Sequence, residues 1–444
     1  MTILTEQHAK KLLQKVLSFS KADECECNLN GEVGGNIRTA RNTVSTAGEQ
    51  SDLTLAVQST FGKRTGVATI NEFDDASLMK VVKRSEELAK LAPENPENMP
   101  IFGPQKYSKT NTAFDSTSKV TPDYRAQAAE DSIKPSKANK LVSSGFLQDE
   151  TTFEAIMNSK GLFAYNKATN VDFSVTIRTE DSKGSGWATR DYSDINLLDT
   201  KEASQIAIEK SLGSVDAKEM EPGKYTVILE PAASVGLLGR LMGAMGQRQA
   251  DEGRSFLSKK LKEGETGAKN KHGEKMFDER VHIYSDPNHP IAPSAPFSSD
   301  GFPRSKTDWI KGGVITNMPN SPYWAKHTDT EYVPRGGSFI MAGGDESLAE
   351  MIKNTRRGVL VTRLWYIRAL DPQTLLQTGL TRDGTFYIEN GKIKYPIKNF
   401  RFNESPIVML NNIEALGKPE RINGNMVPPM KIRDFTFSSL SDAV

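Results

Sequence analysis

Cysteine, histidine and long apolar runs are scarce in this chain of 444 residues, and each scarcity excludes a class of protein. The two cysteines, Cys25 and Cys27, are one residue apart, so a strand would point both thiols to the same side and a disulfide would be strained. Two reduced thiols are typical of a reducing compartment. The five histidines lack the spacing of a metal-binding motif such as His-Glu-x-x-His.

The opening residues contain no apolar segment of signal-peptide length, and no apolar run approaches the ~20 residues that span a bilayer. We therefore expect a cytoplasmic protein with no membrane partner. The formal net charge of +1 and the 25% of charged residues are ordinary for a globular protein, and they argue against a nucleic-acid partner. The length predicts about three domains.

The most informative stretch covers residues 230–255, where an apolar strand at 225–229 leads into a helix. Pro231 occupies a position that favours the first helical turn. Apolar residues then recur at a spacing of three to four, at Leu238, Leu241, Met242 and Met245. This spacing predicts one apolar face on an α-helix.

Glycine recurs at the same spacing beside this apolar face. The four positions, here named the glycine stripe, are Gly236, Gly239, Gly243 and Gly246. Each glycine in a helix interior costs roughly 0.5–1 kcal/mol relative to alanine, so four together need a reason. We expect another backbone to pack closely on the stripe, either from this chain or across a subunit interface.

The remaining pattern predicts an α+β fold with two strand and helix units followed by a β-rich domain around the central helix. We place the domains at residues 1–105, ending in a proline-rich linker, 106–218 and 219–444. In the first unit, glycine is expected to divide residues 24–40 into short strands. Helices are expected near residues 5–18, 75–91, 122–132 and 200–212.

The two N-terminal units resemble each other in sequence. Residues 172–191 align with residues 52–71 without a gap, and the alternating apolar positions correspond. Leu53, Leu55 and Val57 are replaced by Phe173, Val175 and Ile177. We interpret this as a duplication of a strand, turn, strand and helix unit.

In the C-terminal part, Asp345 is a candidate helix N-cap, and Asp383-Gly384 and Asn390-Gly391 are candidate turns. The strand, proline and helix at 225–255, together with Asp300, Gly301, Pro303, Gly313 and residues 378–393, resemble the TldD/PmbA family, called modulators of DNA gyrase. The resemblance is strong after Pro222 and looser before it.

The resemblance implies a helix that carries His-Glu-x-x-x-His in the family's metalloprotease subunit, where two histidines bind zinc and the glutamate acts as base. Here those positions hold Gly239, Arg240 and Ala244, and Leu416 replaces a zinc-binding cysteine before Gly417. None of these side chains supplies a nitrogen, sulfur or carboxylate donor suited to zinc. We therefore predict no metal ligand and no catalytic residue in this chain, with zinc bound by a partner subunit.

By resemblance, the chain is a zinc-free subunit of a metalloprotease assembly that cuts unfolded peptides, paired with a TldD-like sister subunit or with itself. The alternative is a non-enzymatic regulator of DNA gyrase. A third possibility, a self-sufficient hydrolase, would need a histidine beside a nucleophile such as Ser234. Arg240 could pair with a substrate carboxylate, pair with an acidic residue across an interface, or lie along the surface.

Overall fold

The computed structural model describes residues 3–259 and 269–441. The described helices are α1 Glu6–Ser18, α2 Asp75–Leu91, α3 Asp115–Ser118, α4 Pro122–Ala138, α5 Thr200–Gly213, α6 Pro231–Gly243, α7 Gln247–Asp251, α8 Pro322–Thr328, α9 Leu348–Lys353 and α10 Pro406–Asn411. The N-terminal strands are β1 Glu24–Ala40, β2 Thr43–Phe61, β3 Arg64–Ile70, β4 Leu141–Asn158, β5 Phe163–Thr179 and β6 Ser185–Tyr192.

The C-terminal strands are shorter and more numerous. They are β7 Gly223–Leu229, β8 Ile283–Ser285, β9 Thr307–Lys311, β10 Val314–Ile315, β11 Ile340–Met341, β12 Arg357–Asp371, β13 Leu376–Glu389, β14 Lys392–Pro396, β15 Phe400–Glu404, β16 Ile413–Leu416, β17 Glu420–Ile422, β18 Asn425–Val427 and β19 Met430–Leu440. The α+β class and the β-rich C-terminal region around a central helix are confirmed.

The first six strands form one antiparallel sheet in the order β3-β2-β1-β4-β5-β6. Each half of this sheet is built from helix, three strands and helix, so the two predicted units have the same order of elements. The units meet at the β1–β4 seam, where Val33 faces Thr151 and Gly34 faces Glu150. The halves therefore share one sheet, and the boundaries at 105 and 218 stay predictions.

The alignment of the two units is correct for β2 with β5 and offset for β3 with β6. Leu55 and Val175 are both fully buried on equivalent strands. Val57 pairs with Ala68, however, whereas Ile177 pairs with Gly186, because a two-residue turn joins the first pair of strands and a longer turn joins the second. The gapless alignment of β3 with β6 is therefore wrong by two residues.

The expected division of β1 by glycine is also wrong, because β1 runs unbroken from Glu24–Ala40. The glycines make room for neighbours. A Cβ at Gly34 would lie 2.2 Å from the carbonyl oxygen of Asp149, and one at Gly35 would lie 2.2 Å from the guanidinium of Arg125. Glycine inside a strand often marks such a close approach of a neighbouring group.

The C-terminal region contains a closed barrel and a second sheet. Strands β12, β7, β19, β15 and β13 pair in sequence, and pairing of β13 with β12 closes the ring. The second sheet has the order β10-β9-β8-β11-β18-β17. Helix α6 contacts β7 and β12 of the barrel and β17 and β18 of the second sheet. It therefore lies where the two C-terminal sheets meet.

Two further expectations concern the cysteines and membrane-spanning segments. Cys25 and Cys27 are free thiols buried under α1 and α2 on one face of the sheet. No helix within residues 3–259 or 269–441 is both long and apolar enough to cross a membrane.

Candidate functional site

The candidate site is built on α6, and the strand before it fixes where that helix begins. Glu230 is an extended N-cap, and its backbone N–H donates to the carbonyl of Val361 at 3.1 Å. The Glu230 carboxylate accepts hydrogen bonds from Lys210 Nζ at 2.6 Å and Thr362 Oγ1 at 3.4 Å. Pro231 follows at the first helical position, as predicted.

The predicted apolar face of α6 is confirmed over most of its length. Leu237, Leu238 and Leu241 are fully buried and belong to the large C-terminal core, and Met242 packs against it. The helix ends at Gly243, with Ala244 as its C-cap. Because α7 begins only at Gln247, Ala244 and Gly246 do not continue the helix, and that part of the prediction is wrong.

The glycine stripe does not pack against another backbone of this chain. A Cβ at Gly239 or at Gly243 would meet no described atom within 4 Å. At Gly236 the neighbour is the Cδ1 methyl of Ile367, and at Gly246 it is the side chain of Gln249. Close packing within the chain is therefore wrong for Gly239 and Gly243, whereas contact across a subunit interface stays a prediction.

A cavity of about 210 Å³ lies over the open glycines. Its lining includes Gly239, Met242, Gly243, Ser285, Trp309, Pro319, Arg335, Gly336, Gly337, Ser338, Phe339 and Asn425. Trp309 is buried and its indole N–H donates to Ser285 Oγ at 2.8 Å. Ser285 in turn donates to the carbonyl of Ser338, and Arg335 Nη1 donates to the carbonyl of Met242 at 3.0 Å.

Arg240, at the position of the family's glutamate, is exposed and held to its own chain. Its Nη2 donates to the carbonyl oxygen of Ile367 on β12 at 2.9 Å. The contact bridges α6 to the barrel strand beside it. This geometry favours the reading in which Arg240 lies along the protein surface.

Leu416, the fourth position of the degenerate zinc motif, lies on a strand rather than on α6. It ends β16, where it pairs with Met430 of β19, and its side chain packs against the C-terminal core. It is not among the described residues that line the cavity over Gly239 and Gly243.

These residues do not fit a zinc ion. Gly239, Ala244 and Leu416 carry no donor atom, and the guanidinium of Arg240 is a cation that donates hydrogen bonds. Within the described ranges, no group of three or more histidine, cysteine, aspartate or glutamate side chains is placed to hold a metal. What the geometry does show here is an open face of α6 at Gly239 and Gly243.

Ser234, the nucleophile considered for a self-sufficient hydrolase, is fully buried in α6. Its hydroxyl is 3.5 Å from the carbonyl oxygen of Leu229, to which it donates. A serine enclosed in this way cannot reach a peptide bond, so the structure gives no support to the hydrolase reading.

A second polar cluster surrounds Asp300, one of the positions that resemble the family. Asp300 accepts hydrogen bonds from Ser298 and, at 2.6 Å, from the hydroxyl of Tyr332. The pKa of Glu26 is raised to about 7, chiefly by burial; a hydrogen bond from Asn28 lowers it and the negative charge of Asp300 raises it. The sequence pointed to Asp300 but gave no sign that a carboxyl from β1 would face it.

Gly301 and Gly313, two of the positions that resemble the family, adopt backbone conformations that favour glycine. Gly301 has a φ of 76°, and its carbonyl accepts a hydrogen bond from the hydroxyl of Tyr107 at 2.7 Å. Gly313 has a φ of 77°, and a Cβ there would lie 2.1 Å from the carbonyl oxygen of Phe277. Both positions therefore need glycine.

Comparison with known proteins identifies the family of this chain. Three domain descriptions of one family match the chain in series: PmbA/TldA metallopeptidase domain 1 at residues 25–89, the central domain at 115–214 and the C-terminal domain at 222–439. Metalloprotease PmbA from Escherichia coli O157:H7 is 22% identical over 469 residues, which covers 97% of this chain and 98% of that protein.

Solved structures have the same fold. TldE from Thermococcus kodakarensis superposes with a TM-score of 0.86 at 19% identity, covering 97% of this chain and 99% of that one. A candidate modulator of DNA gyrase from Bacteroides thetaiotaomicron VPI-5482 gives 0.85 at 20% identity, covering 99% and 100%. Because the three domain matches follow one another along most of the chain, this protein belongs to the PmbA/TldD metallopeptidase family.

Proposed function

We propose that this chain is a zinc-free subunit of a PmbA/TldD-type metallopeptidase assembly that processes unfolded peptides. One observation carries the proposal: the helix that would hold the metal offers Gly239, Arg240 and Ala244, none of which can bind zinc. The hydrolytic centre then belongs to a sister subunit that bears His-Glu-x-x-x-His. Relatives named metalloproteases support a peptidase role for the assembly.

The work of this subunit is to receive the peptide. The open face at Gly239 and Gly243 and the cavity beside it leave room for an extended chain next to α6. Exposed strand edges can hold an extended peptide through main-chain hydrogen bonds with little demand on its sequence, which suits a protease for unfolded substrates.

The first test is the zinc content of the purified chain, prepared without chelator. We expect far less than one equivalent of zinc by elemental analysis, because the four motif positions lack donors. Stoichiometric zinc bound in the α6 region of the purified chain would contradict the proposal.

The second test is proteolysis of an unfolded, casein-like substrate. The chain alone should be inactive, and mixing with a sister chain that bears His-Glu-x-x-x-His should give cleavage that a chelator stops. A sister chain with its glutamate replaced by glutamine is the matched control. Chelator-sensitive cleavage by the lone chain, at a rate that mixing does not change, would reverse the assignment.

The alternative, regulation of DNA topology, is the less favoured function. A net charge of +1 gives weak attraction for the phosphate backbone, on which most affinity for DNA depends. A supercoiling assay with DNA gyrase separates the two, since the peptidase proposal expects no effect of this chain on gyrase.

A further inference from the structure

A run of alternating arginine and aromatic side chains lies on β12 and β13, on the outside of the barrel. Arg368 stacks on Tyr366 with its Cζ 4.5 Å from the ring centroid, and the rings of Tyr366 and Trp365 are 5.2 Å apart. Arg382 covers Trp365 at 4.1 Å, opposite Arg363 on the neighbouring strand. We name these five residues the arginine–aromatic ladder.

The backbone is distorted so that the ladder reaches solvent. The pairing of β12 with β13 is irregular between Trp365 and Arg368, and Tyr366 has a φ of 57°. A positive φ is costly for a bulky residue and often marks a functional position. As a result Tyr366 is 58% exposed and Trp365 is 39% exposed. An aromatic pair displayed at the cost of strain is suited to contact with another molecule.

The ladder has more positive than negative charge. Beside the ladder lies the carboxylate of Asp383, which forms an ion pair with Arg363, lies 3.8 Å from Arg382 Nε and accepts a hydrogen bond from Ser185 at 2.6 Å. The Nε atoms of Arg363 and Arg382 are buried without a hydrogen-bond acceptor in the described parts of the chain. Two guanidinium groups, those of Arg363 and Arg382, therefore face one carboxylate, and Arg368 adds a third positive charge at the exposed part of the ladder.

The buried end of the ladder is fixed by the second N-terminal unit. Arg363 lies over the ring of Trp187 on β6, with its Cζ 4.3 Å from the centroid. Burial lowers the pKa of Arg363, and the positive charge of Arg382 lowers it further, against the raising effect of Asp383. An added anion would relieve this mutual repulsion.

The ladder is continuous with the candidate site. Ile367, between Tyr366 and Arg368, places its side chain against Gly236 and accepts the hydrogen bond from Arg240. Ile367 thus joins the strand that carries the ladder to α6, the helix of the candidate site.

We propose that the arginine–aromatic ladder binds carboxylate side chains of an extended, acidic peptide, so that this subunit selects acidic unfolded segments. The inference rests on the proposed function, because it assigns a substrate class to the same peptide-receiving surface. Guanidinium groups held on aromatic rings keep their planar donors directed at a carboxylate. The surplus of two positive charges is small for a nucleic acid, whose affinity depends on several phosphate contacts.

The test is fluorescence anisotropy with the full chain and two labelled unstructured peptides of equal length, one rich in glutamate and one with every glutamate replaced by glutamine. The acidic peptide should bind about tenfold more tightly at low salt, a difference of about 1.4 kcal/mol. Arg382→Met should remove this preference while keeping apolar packing on Trp365. Arg357→Met, which changes an exposed arginine at the start of β12, should keep it.

Tyr366→Ala guards against a variant that fails to fold, because an exposed side chain can be removed without loss of core packing; it too should lose the preference. Equal binding of the two peptides, equal loss in Arg357→Met and Arg382→Met, or displacement by a single-stranded oligonucleotide at lower concentration than by the unlabelled acidic peptide would overturn the proposal. Binding is measured without the sister subunit, so its result stands whether or not mixing produces cleavage.

Discussion

Glu26 shows how one side chain can make this fold sensitive to pH. Glu26 is 9% exposed on β1, and the pKa of its carboxyl group is raised from 4.5 to about 7, chiefly by burial. Because folding disfavours the ionised form, stability is highest below the unfolded-state pKa and falls as the pH rises from about 4.5 to about 7. At about 1.4 kcal/mol per pKa unit, the loss is on the order of 3 kcal/mol.

Replacement of Glu26 by glutamine should remove this dependence. We expect Glu26→Gln to be more stable than the wild type at pH 8 and no more stable at pH 4, by urea unfolding at both values. Glu94→Gln, at an exposed glutamate, is the control and should change stability little at either pH. If the variant is no more stable than the wild type at pH 8, the ionised form of Glu26 does not destabilise the native state.

At the level of helices and strands, sequence periodicity predicted elements well and their contacts poorly. Helix α2 has the expected bounds, and α1 lies where it was expected, with Thr5 as a cap that accepts a hydrogen bond from the backbone of His8. Local patterns suffice here because caps and apolar faces are properties of neighbouring residues. The turn at Asn390-Gly391 was also predictable, since both residues adopt a positive φ.

One failure has a local cause, and the others occur where distant residues decide. Asp345 is not the N-cap of α9, because Ser347 forms a capping box with Glu350 two residues later. Asp383-Gly384 is not a turn but an irregularity inside β13, held by the ion pair of Asp383 with Arg363. The glycine stripe misled in the same way, since spacing shows which face a residue occupies but not what lies opposite.

The glycines that permit close packing are in the sheet, under helix α5. A Cβ at Gly186 would lie 2.1 Å from the carbonyl oxygen of Ala207, so Gly186→Ala should destabilise by about 1–3 kcal/mol or more. Gly239→Ala should stabilise by roughly 0.5–1 kcal/mol, because its Cβ meets nothing and alanine is the better helix former.

Thermal melting of both variants checks the pair. A destabilised Gly239→Ala would mean that the open face of α6 is covered within the chain. If this variant melts normally but no longer assembles with the sister subunit, the glycine stripe belongs to the subunit interface.

At the scale of the whole molecule, one buried arginine ties the second sheet to the N-terminal sheet. Arg421 on β17 donates from Nε to Asp191 Oδ2 at 2.9 Å and from Nη1 to the carbonyl of Ile291 at 2.6 Å. Arg421 and Asp191 are 6% and 3% exposed, so solvent screens the pair little. Loss of one partner leaves a buried charge unpaired.

We therefore expect Arg421→Met to lower the free energy of unfolding by about 3–5 kcal/mol, measured by urea unfolding. The N-terminal sheet should also separate from the rest of the chain, which would give a second unfolding transition. Arg401→Met, at an exposed arginine of β15, is the control and should leave a single transition. Equal effects of the two variants would show that the ion pair does not hold the sheets together.

The β1–β4 seam has a consequence for the order in which this protein can fold during synthesis. Thr39 pairs with Gly145 and Glu26 with Asn158, so one edge of β1 cannot pair until a strand more than a hundred residues later has been synthesised. Formation of the barrel is delayed further, because β7 pairs with Met430–Leu440. Until those residues leave the ribosome, long strand edges stay unpaired, and pairing over such separations is slow and prone to aggregation. We therefore expect the nascent chain to need protection of these strand edges before the proposed peptide-binding surface has formed.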